Sequence, residues 1–195
     1  MNLVAVVMAA LLFSVPAVGA DIEEPSWQLL DQFDSIELRH YEPSIQAKTT
    51  LADSAQTSAG FRRLAGFIFG GNSTSQKIAM TAPVQEMLVE DYPTMAFTMP
   101  GEYTFEDLPQ PDDPRVSLEK VPAKTMAVIR FSGWATGWVV SSKTDELLGA
   151  LRERSIKVIG TASLNQYNPP WTLPFLRRNE IMVEVDTSKF SAAVL

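Results

Sequence analysis

The chain contains a single histidine, His40, and no cysteine, and these two counts restrict the chemistry that it can perform. A zinc site would need further nitrogen or sulfur ligands, which the sequence does not supply. A serine–histidine–acid triad is also disfavoured, because the chain has no Gly-x-Ser-x-Gly motif. Axial ligation of a heme iron requires only one imidazole, so His40 is a candidate metal ligand. The alternative is a structural histidine on the apolar face of a strand that also carries Ile36 and Leu38.

A second candidate group combines cations and aromatic rings on the first predicted helix. Arg62 and Arg63 stand close in sequence to Phe67 and Phe69. Arginines beside exposed aromatic rings could clamp an amphipathic ring that bears carboxylates, because a guanidinium contacts a carboxylate through two parallel hydrogen bonds. The alternative is a solvated helix face on which the aliphatic stems of the arginines cover apolar surface. These residues alone leave both interpretations open.

Apolar periodicity places these residues on strands and on two helices. Phe61, Leu64 and Ile68 recur at helical spacing and predict a helix over residues 52–69, and similar spacing predicts a second over residues 136–154. Residues 27–33 are interpreted as a short lead-in. Period-2 alternation predicts strands at residues 36–41, 45–51, 77–84, 95–100, 116–121, 125–131, 162–170 and 180–185.

The segment between the first helix and its following strand superficially resembles a phosphate-binding loop. Residues 70–77, GGNSTSQK, lack the Gly-Lys-Ser/Thr ending and lead into a predicted strand, whereas a phosphate loop opens a helix. We therefore interpret them as a turn that ends the helix at Gly70 and Gly71. In the strand predicted after the turn, Lys77 and Thr81 should point outward. The core-facing residues of that strand should be Ile78, Met80, Ala82 and Val84.

The order of the predicted elements repeats along the chain. Residues 34–106 and 115–186 each contain two strands, a helix and two further strands, and a proline-rich segment at 107–114 separates them. Each amphipathic helix needs a sheet to cover its apolar face, so the sequence predicts an α+β domain. We expect a sheet of about eight strands, curved or closed into a barrel, with the helices packed outside.

The first twenty residues differ from the rest. Residues 2–20 contain no Asp, Glu, Lys or Arg, and small residues precede an acidic stretch that begins at Asp21. This pattern predicts a signal peptide over residues 1–20 and an exported, periplasmic domain over residues 21–195. A buried helix and a retained membrane anchor are the alternatives, although the apolar run is short against the roughly 20 residues of a membrane span. We expect no stable membrane span after cleavage.

Charge and cysteine content exclude further classes of function. The net charge of −7 argues against a nucleic-acid partner, which would favour a basic surface. The absence of cysteine excludes disulfides, thiol nucleophiles, thiolate metal sites and covalent attachment of heme through a Cys-x-x-Cys-His motif.

Five segments, taken in order, form a recognisable pattern. They are IELRHYEP at 36–43, FRRL at 61–64 with Gly70 and Gly71, KIAMTAPV at 77–84, YNPPW at 167–171 and RRNE at 177–180. Together they resemble the SOUL/heme-binding protein family over residues 31–185. The resemblance implies a distorted antiparallel β-barrel flanked by two helices, with a pseudo-twofold βαββ duplication. It also implies non-covalent binding of heme or a related tetrapyrrole in a shallow hydrophobic groove beside the first helix.

The resemblance also gives candidate groove residues in this sequence: Arg62, Arg63, Leu64, Phe67, Phe69, Arg177 and Arg178. We expect a non-enzymatic binding protein whose partner is heme or another tetrapyrrole. One alternative is a hydrolase or isomerase that acts on a hydrophobic small molecule and uses Glu37, Glu42 or Glu180 as a base. The other is a protein-interaction module.

Overall fold

The computed structural model describes residues 22–53, 56–88 and 93–186. The predicted signal peptide lies outside them, so its cleavage and the periplasmic localisation stay predictions. The helices of the described part are α1 (Thr57–Ile68) and α2 (Gly137–Glu153). The strands are β1 (Trp27–Phe33), β2 (Ile36–Tyr41), β3 (Ser44–Thr50), β4 (Val84–Met87), β5 (Thr94–Thr98), β6 (Val116–Val121), β7 (Lys124–Phe131), β8 (Ser163–Gln166) and β9 (Asn179–Glu184).

The nine strands found in the described residues form one antiparallel sheet in the order β1-β2-β7-β9-β8-β4-β5-β3-β6. The sheet curls into half of a barrel. α1 packs on β3, β5 and β6, whereas α2 packs on β7 and β9. The predicted fold class, a distorted antiparallel barrel with two helices, is therefore confirmed, while the duplication stays a prediction. The strand count is nine because residues 27–33, expected to be a lead-in, pair with β2 as β1.

Alternation along the strands divides the apolar side chains between two main clusters, one under each helix. Ile36 and Leu38 of β2 belong to the cluster that Leu147 of α2 completes. Phe97 of β5 belongs to the cluster that Leu64 of α1 completes. Neither helix of the described residues is long and apolar enough to cross a membrane.

Helix α1 ends at the two glycines, as predicted. Gly70 has a φ of 110°, a conformation that glycine adopts without steric cost. The amide of Gly71 donates to the carbonyl of Gly66 at 2.8 Å, which satisfies an orphan carbonyl in the last turn of the helix. The side chain of Asn72 donates through Nδ2 to the carbonyl of Phe67 at 2.9 Å. The interpretation of residues 70–77 as a capping turn is confirmed.

The strand predicted over residues 77–84 is wrong over most of its length, because only Val84 belongs to a strand. The amide of Ile78 bonds instead to the last turn of α1, and that of Ala82 bonds to the segment before β1. Pro83 has no amide hydrogen, so pairing of β4 with β5 and β8 begins only after it.

The burial of this segment follows the prediction in part. Ile78 and Ala82 are buried as predicted. Thr81, which was predicted to point outward, is also buried, because its hydroxyl donates a hydrogen bond to the carbonyl of Thr98. An irregular segment can bury adjacent residues, whereas a strand would alternate them.

The sheet face opposite the helices carries a buried charged group that we call the Glu180 cluster (Arg39, Tyr167, Arg178 and Glu180). The carboxylate of Glu180 is fully buried. It accepts hydrogen bonds from Arg39 at 3.1 and 3.3 Å, from the Tyr167 hydroxyl at 2.6 Å and from Arg178 Nε at 3.0 Å. A buried carboxylate is costly unless it is paired and hydrogen-bonded in this way.

Electrostatics favour the charged form of Arg39 and the protonated hydroxyl of Tyr167. Burial alone would lower the pKa of Arg39, but the attraction of Glu180 and the hydrogen bonds raise it above its ordinary value. Burial and the neighbouring Glu180 raise the pKa of Tyr167, so its hydroxyl stays protonated and donates. Arg178 extends the cluster to Glu24, 2.8 Å away. The cluster therefore joins β2, β9, the turn after β8 and the segment before β1.

Replacement of Glu180 by Gln tests how strongly the fold depends on this cluster. The amide keeps the shape of the side chain but leaves Arg39 and Arg178 without their shared counter-ion. We expect E180Q to lose up to about 3–5 kcal/mol of unfolding free energy, because the buried Arg39 guanidinium then loses its fully buried counter-ion and keeps only the partly exposed Glu37. Urea denaturation followed by tryptophan fluorescence measures the loss.

The control for this variant is E119Q, which removes the partner of Lys48 in a solvent-accessible ion pair of 2.6 Å. Such a pair contributes about 1 kcal/mol or less. If E180Q and E119Q lost equally small amounts of unfolding free energy, the Glu180 cluster would not be a major source of stability.

Candidate functional site

Helix α1 and the turn after β8 enclose a cavity on the helix side of the sheet, which we call the α1 groove. Its volume is about 380 Å³, within the usual range for small-molecule sites. Strands β4 and β5 form its floor. The lining includes Phe61, Arg62, Val84, Glu86, Pro170 and Arg177.

Helix α1 supplies one cation and one aromatic ring to the groove. The buried side of the helix packs against the core. Phe61 and Arg62 lie outside this buried side and line the groove. The ring of Phe61 packs edge-on against Phe97, with 5.4 Å between the centroids, and this contact fixes its position. Arg62 is exposed, and its guanidinium has no ion-pair or hydrogen-bond partner within the described residues. Its charge is therefore available to an anionic ligand.

The turn before β9 supplies the second cation, Arg177. Its Nε donates to the carbonyl of Thr172 at 2.9 Å, and its Nη2 donates to the carbonyl of Pro170. The guanidinium also lies 3.9 Å from the ring centroid of Trp134. These contacts hold the side chain in place without a carboxylate, so the positive charge of Arg177 is not neutralised by an ion pair within the described residues.

A carboxyl group that sequence reasoning missed, Glu86, lies in the same groove. It stands on β4 between Met95 of β5 and Leu164 of β8. Burial among these neighbours raises the pKa of Glu86 above its ordinary value. The signal in the sequence was the two-residue spacing from Val84, which places both side chains on the helix side of the sheet.

The predicted groove residues of α1 other than Arg62 lie elsewhere. Leu64 and Phe67 are 0% and 2% exposed and belong to the core under α1, so they offer no surface to a groove ligand. Arg63 bonds to Thr49 Oγ1 at 2.5 Å and is tied to β3. Phe69 is 62% exposed but does not line the α1 groove. Helical periodicity explains this outcome, because 64 and 67 face the core together, whereas 61 lies at the edge of their apolar stripe and 62 lies on the outer side of the helix.

Arg178 and His40 are also outside the groove. Arg178 turns to the opposite face of the sheet, where it bonds to Glu180 and Glu24. His40 lies on β2, and strands β7, β9 and β8 separate it from β4. With strands about 4.8 Å apart, that places the imidazole about 19 Å along the sheet from the groove floor. Its Nδ1 is 3.2 Å from Thr125 Oγ1, which is the structural role considered above.

The placement of the described side chains gives little support for a metal site or for acid–base catalysis. No group of three or more His, Cys, Asp or Glu side chains in the described residues could hold a metal ion. Of the carboxylates proposed as a base, Glu37 bonds to Arg39 at 2.6 Å and Glu180 is enclosed by its cluster. Glu42 is exposed and does not line the α1 groove. The three are therefore not assembled around a common substrate position.

A larger cavity, of about 640 Å³, lies at one end of the sheet. It is lined by several carboxylates, among them Glu23, Glu24, Glu42 and Glu106. Its one lysine, Lys120, is already paired with Glu106 at 3.0 Å. This cavity is acidic, so an anionic ligand favours the smaller α1 groove.

Comparison with known proteins shows the family and the fold of this chain. A family model described as SOUL heme-binding protein matches residues 22–184. The mouse protein named Heme-binding protein 2 is 31% identical over 178 residues, which cover 82% of this chain and 84% of the mouse protein. The solved C-terminal domain of EcmrR has a TM-score of 0.62 at 9% identity and covers 82% of this chain and 98% of that domain. A hydrolase from Listeria innocua has a TM-score of 0.53 at 10% identity, with coverage of 78% and 92%. At such low identities these two structures show a shared fold alone.

The raised pKa of Glu86 predicts a pH-dependent stability. The folded chain binds the carboxyl proton of Glu86 more tightly than the unfolded chain does. The protonated carboxyl therefore contributes to the unfolding free energy below about pH 4.3, and this contribution is lost as the pH rises through the raised pKa. We expect E86Q to be more stable than the original chain at neutral pH, with the difference closing below about pH 4.3. Urea denaturation at a series of pH values measures this.

The variant E102Q makes the same change of charge at an exposed position and serves as the control. An E86Q stability difference that is independent of pH would contradict the assignment of a desolvated carboxyl.

Proposed function

Since this chain belongs to the SOUL heme-binding protein family, we propose that it binds heme or a related tetrapyrrole, without covalent attachment, in the α1 groove. The observation that carries the proposal is the pair of cations on opposite sides of this groove. Arg62 comes from α1 and Arg177 from the turn before β9, and neither is neutralised by a carboxylate of the described residues. A tetrapyrrole with two propionates presents the complementary charge.

The groove walls suit the rest of such a ligand. Phe61, Val84 and Pro170 offer apolar contact to the ring system. Gln166 and Asn168 add polar groups at the end of β8, where a carboxylate could find a further donor. The groove is open on one side, which fits a shallow site for a flat ligand.

No imidazole takes part in this arrangement, because His40 lies several strands away. The groove residues therefore hold a tetrapyrrole through its ring and its carboxylates. That mode of binding does not distinguish heme from a metal-free porphyrin, and we propose the tetrapyrrole as the ligand class.

We propose binding, and not catalysis, as the activity of this site. Glu86 is the one Asp or Glu among the groove-lining residues, and an acid–base mechanism commonly requires a second proton-transfer group. The mouse relative is named for heme binding as well.

The proposal predicts a loss of affinity on neutralisation of Arg62. A hydrogen bond to a charged group contributes about 1.5–3 kcal/mol, so R62Q should bind hemin about tenfold or more weakly. Titration of hemin, followed by the Soret band and by quenching of tryptophan emission, gives the dissociation constant. The matched control is R152Q, which removes an exposed cation from α2.

A second ligand that keeps the ring but lacks the carboxylates distinguishes the effect of ligand charge from that of ligand shape. Protoporphyrin IX dimethyl ester has no carboxylates, so R62Q should bind it as the original chain does. Unchanged hemin binding by R62Q, or an equal loss for both ligands, would contradict the role given to Arg62.

The distance of His40 from the groove predicts that H40A leaves hemin binding unchanged. We expect the same Soret position and a dissociation constant within about twofold of the original value, a difference of less than 0.5 kcal/mol. A shifted Soret maximum together with weaker binding would instead locate the iron at His40 and remove the α1 groove as the site.

A further inference from the structure

The surface beside the α1 groove carries a set of exposed apolar side chains that we call the aromatic platform. Trp138, Trp171 and Phe175 are 79%, 82% and 71% exposed. Trp134 and Leu176 belong to the same two segments and are also more than half exposed. Single exposed apolar residues are common on proteins, but a contiguous patch marks an interaction surface.

Specific contacts join the two segments that carry these residues. The amide of Gly133 donates to the carbonyl of Pro174 at 2.9 Å. The side chain of Asn179 donates to the carbonyl of Gly133 at 3.1 Å. Arg177 lies over the Trp134 ring and thereby connects the second segment to the first. The platform is therefore one surface built from the residues before β9 and those at the start of α2.

The charge pattern of the platform is unlike that of the chain as a whole. Asp, Glu, Lys and Arg make up 20% of the residues of the chain. None of them occurs in residues 131–142 or in residues 163–176, which carry the platform. The first charged residues after the second segment are Arg177 and Arg178. Arg178 turns to the Glu180 cluster on the other face, so the apolar surface has one cation, Arg177, at its edge, and the platform segments carry no carboxylate.

We propose that the aromatic platform docks on the surface of a phospholipid bilayer. Tryptophan favours the membrane interface, where its ring enters the apolar region and its N–H stays hydrated. Burial of a carboxylate would oppose such docking, and the platform segments have none. Arg177 stands at the edge, where lipid phosphates lie. A protein partner fits less well, because the platform segments offer no charged residues to pair across an interface.

If the α1 groove binds a tetrapyrrole as proposed above, the position of the platform next to the groove connects membrane docking with ligand binding. Pro170 and Arg177 line the α1 groove, and Trp171 immediately follows Pro170. A platform seated on lipid therefore places the groove close to the bilayer, in which tetrapyrroles dissolve. The ligand could then pass between membrane and groove without crossing bulk water.

Fluorescence quenching by brominated lipid tests the docking directly in the full chain. The fourth tryptophan, Trp27, lies outside the platform and stacks under Arg39. In the variant W27F every remaining tryptophan belongs to the platform, so all indole emission reports on it. We expect vesicles of phosphatidylcholine brominated in the upper acyl chain to quench at least half of this emission, with a shift to shorter wavelength.

A triple variant with W138S, W171S and F175S provides the matched comparison. These side chains are largely exposed, so the variant should fold and should bind hemin in solution. We expect its partition into phosphatidylcholine vesicles to fall at least tenfold relative to the original chain. Substitutions of other half-exposed apolar residues, L29S and I159S, should leave the partition unchanged.

The possible results separate the docking from the proposed function. Absence of quenching in W27F, or equal partition of the triple variant and the original chain, would overturn the docking while hemin titration in solution still tests the groove. Quenching without hemin binding would support the docking and overturn the proposed function, and with it the transfer of ligand. A lipid-independent dimer that the triple variant abolishes, without quenching, would assign the platform to a second copy of this chain and overturn the proposal.

Discussion

The buried carboxylate of Glu180 constrains most of what surrounds the candidate site. Arg39, Arg178 and Tyr167 all donate hydrogen bonds to it. These donors come from β2, the turn before β9 and the end of β8, so satisfying one charge fixes three parts of the chain against each other. Since an unpaired buried charge is far more costly than a lost surface ion pair, this arrangement has little freedom to shift. The turn that carries Arg177 is therefore positioned from the opposite face of the sheet.

Adjacent arginines in the sequence have different roles in this structure. Arg178 points into the Glu180 cluster, while Arg177 lines the α1 groove. On α1, Arg62 lines the groove, while Arg63 is hydrogen-bonded to β3. In each pair one guanidinium organises the fold and leaves the other available for a ligand. The sequence shows two Arg-Arg pairs. It does not show which arginine of each pair lies next to a carboxylate or hydroxyl in the folded structure.

The fold was predictable because its signals are local. Residues 36–41 and 116–121 form strands with the predicted bounds, since alternation along a half-buried strand is visible in the sequence. The site was less predictable because it depends on contacts between distant segments. Leu64 and Phe67 share the apolar stripe of α1 with the core, and neither their type nor their spacing distinguishes a core wall from a groove wall. Residues 77–84 alternate like a strand, yet their amides bond to a helix end and to the N-terminal segment. Glu86 was missed because its environment comes from β5 and β8, which its own sequence neighbours do not reveal.

A protein with a net negative charge can bind an anionic ligand only at a site where the local charge is positive. The chain carries −7, but at physiological salt a charge beyond about 8 Å is largely screened, so the residues that line the groove decide the potential there. Arg62 and Arg177 supply two positive charges against the one acidic side chain of the lining, Glu86, whose pKa is raised by burial. The Glu180 cluster keeps Arg178 occupied on the other face, so it cannot neutralise Glu86. Charge separation across a single sheet is thus what leaves the groove positive in a negative molecule.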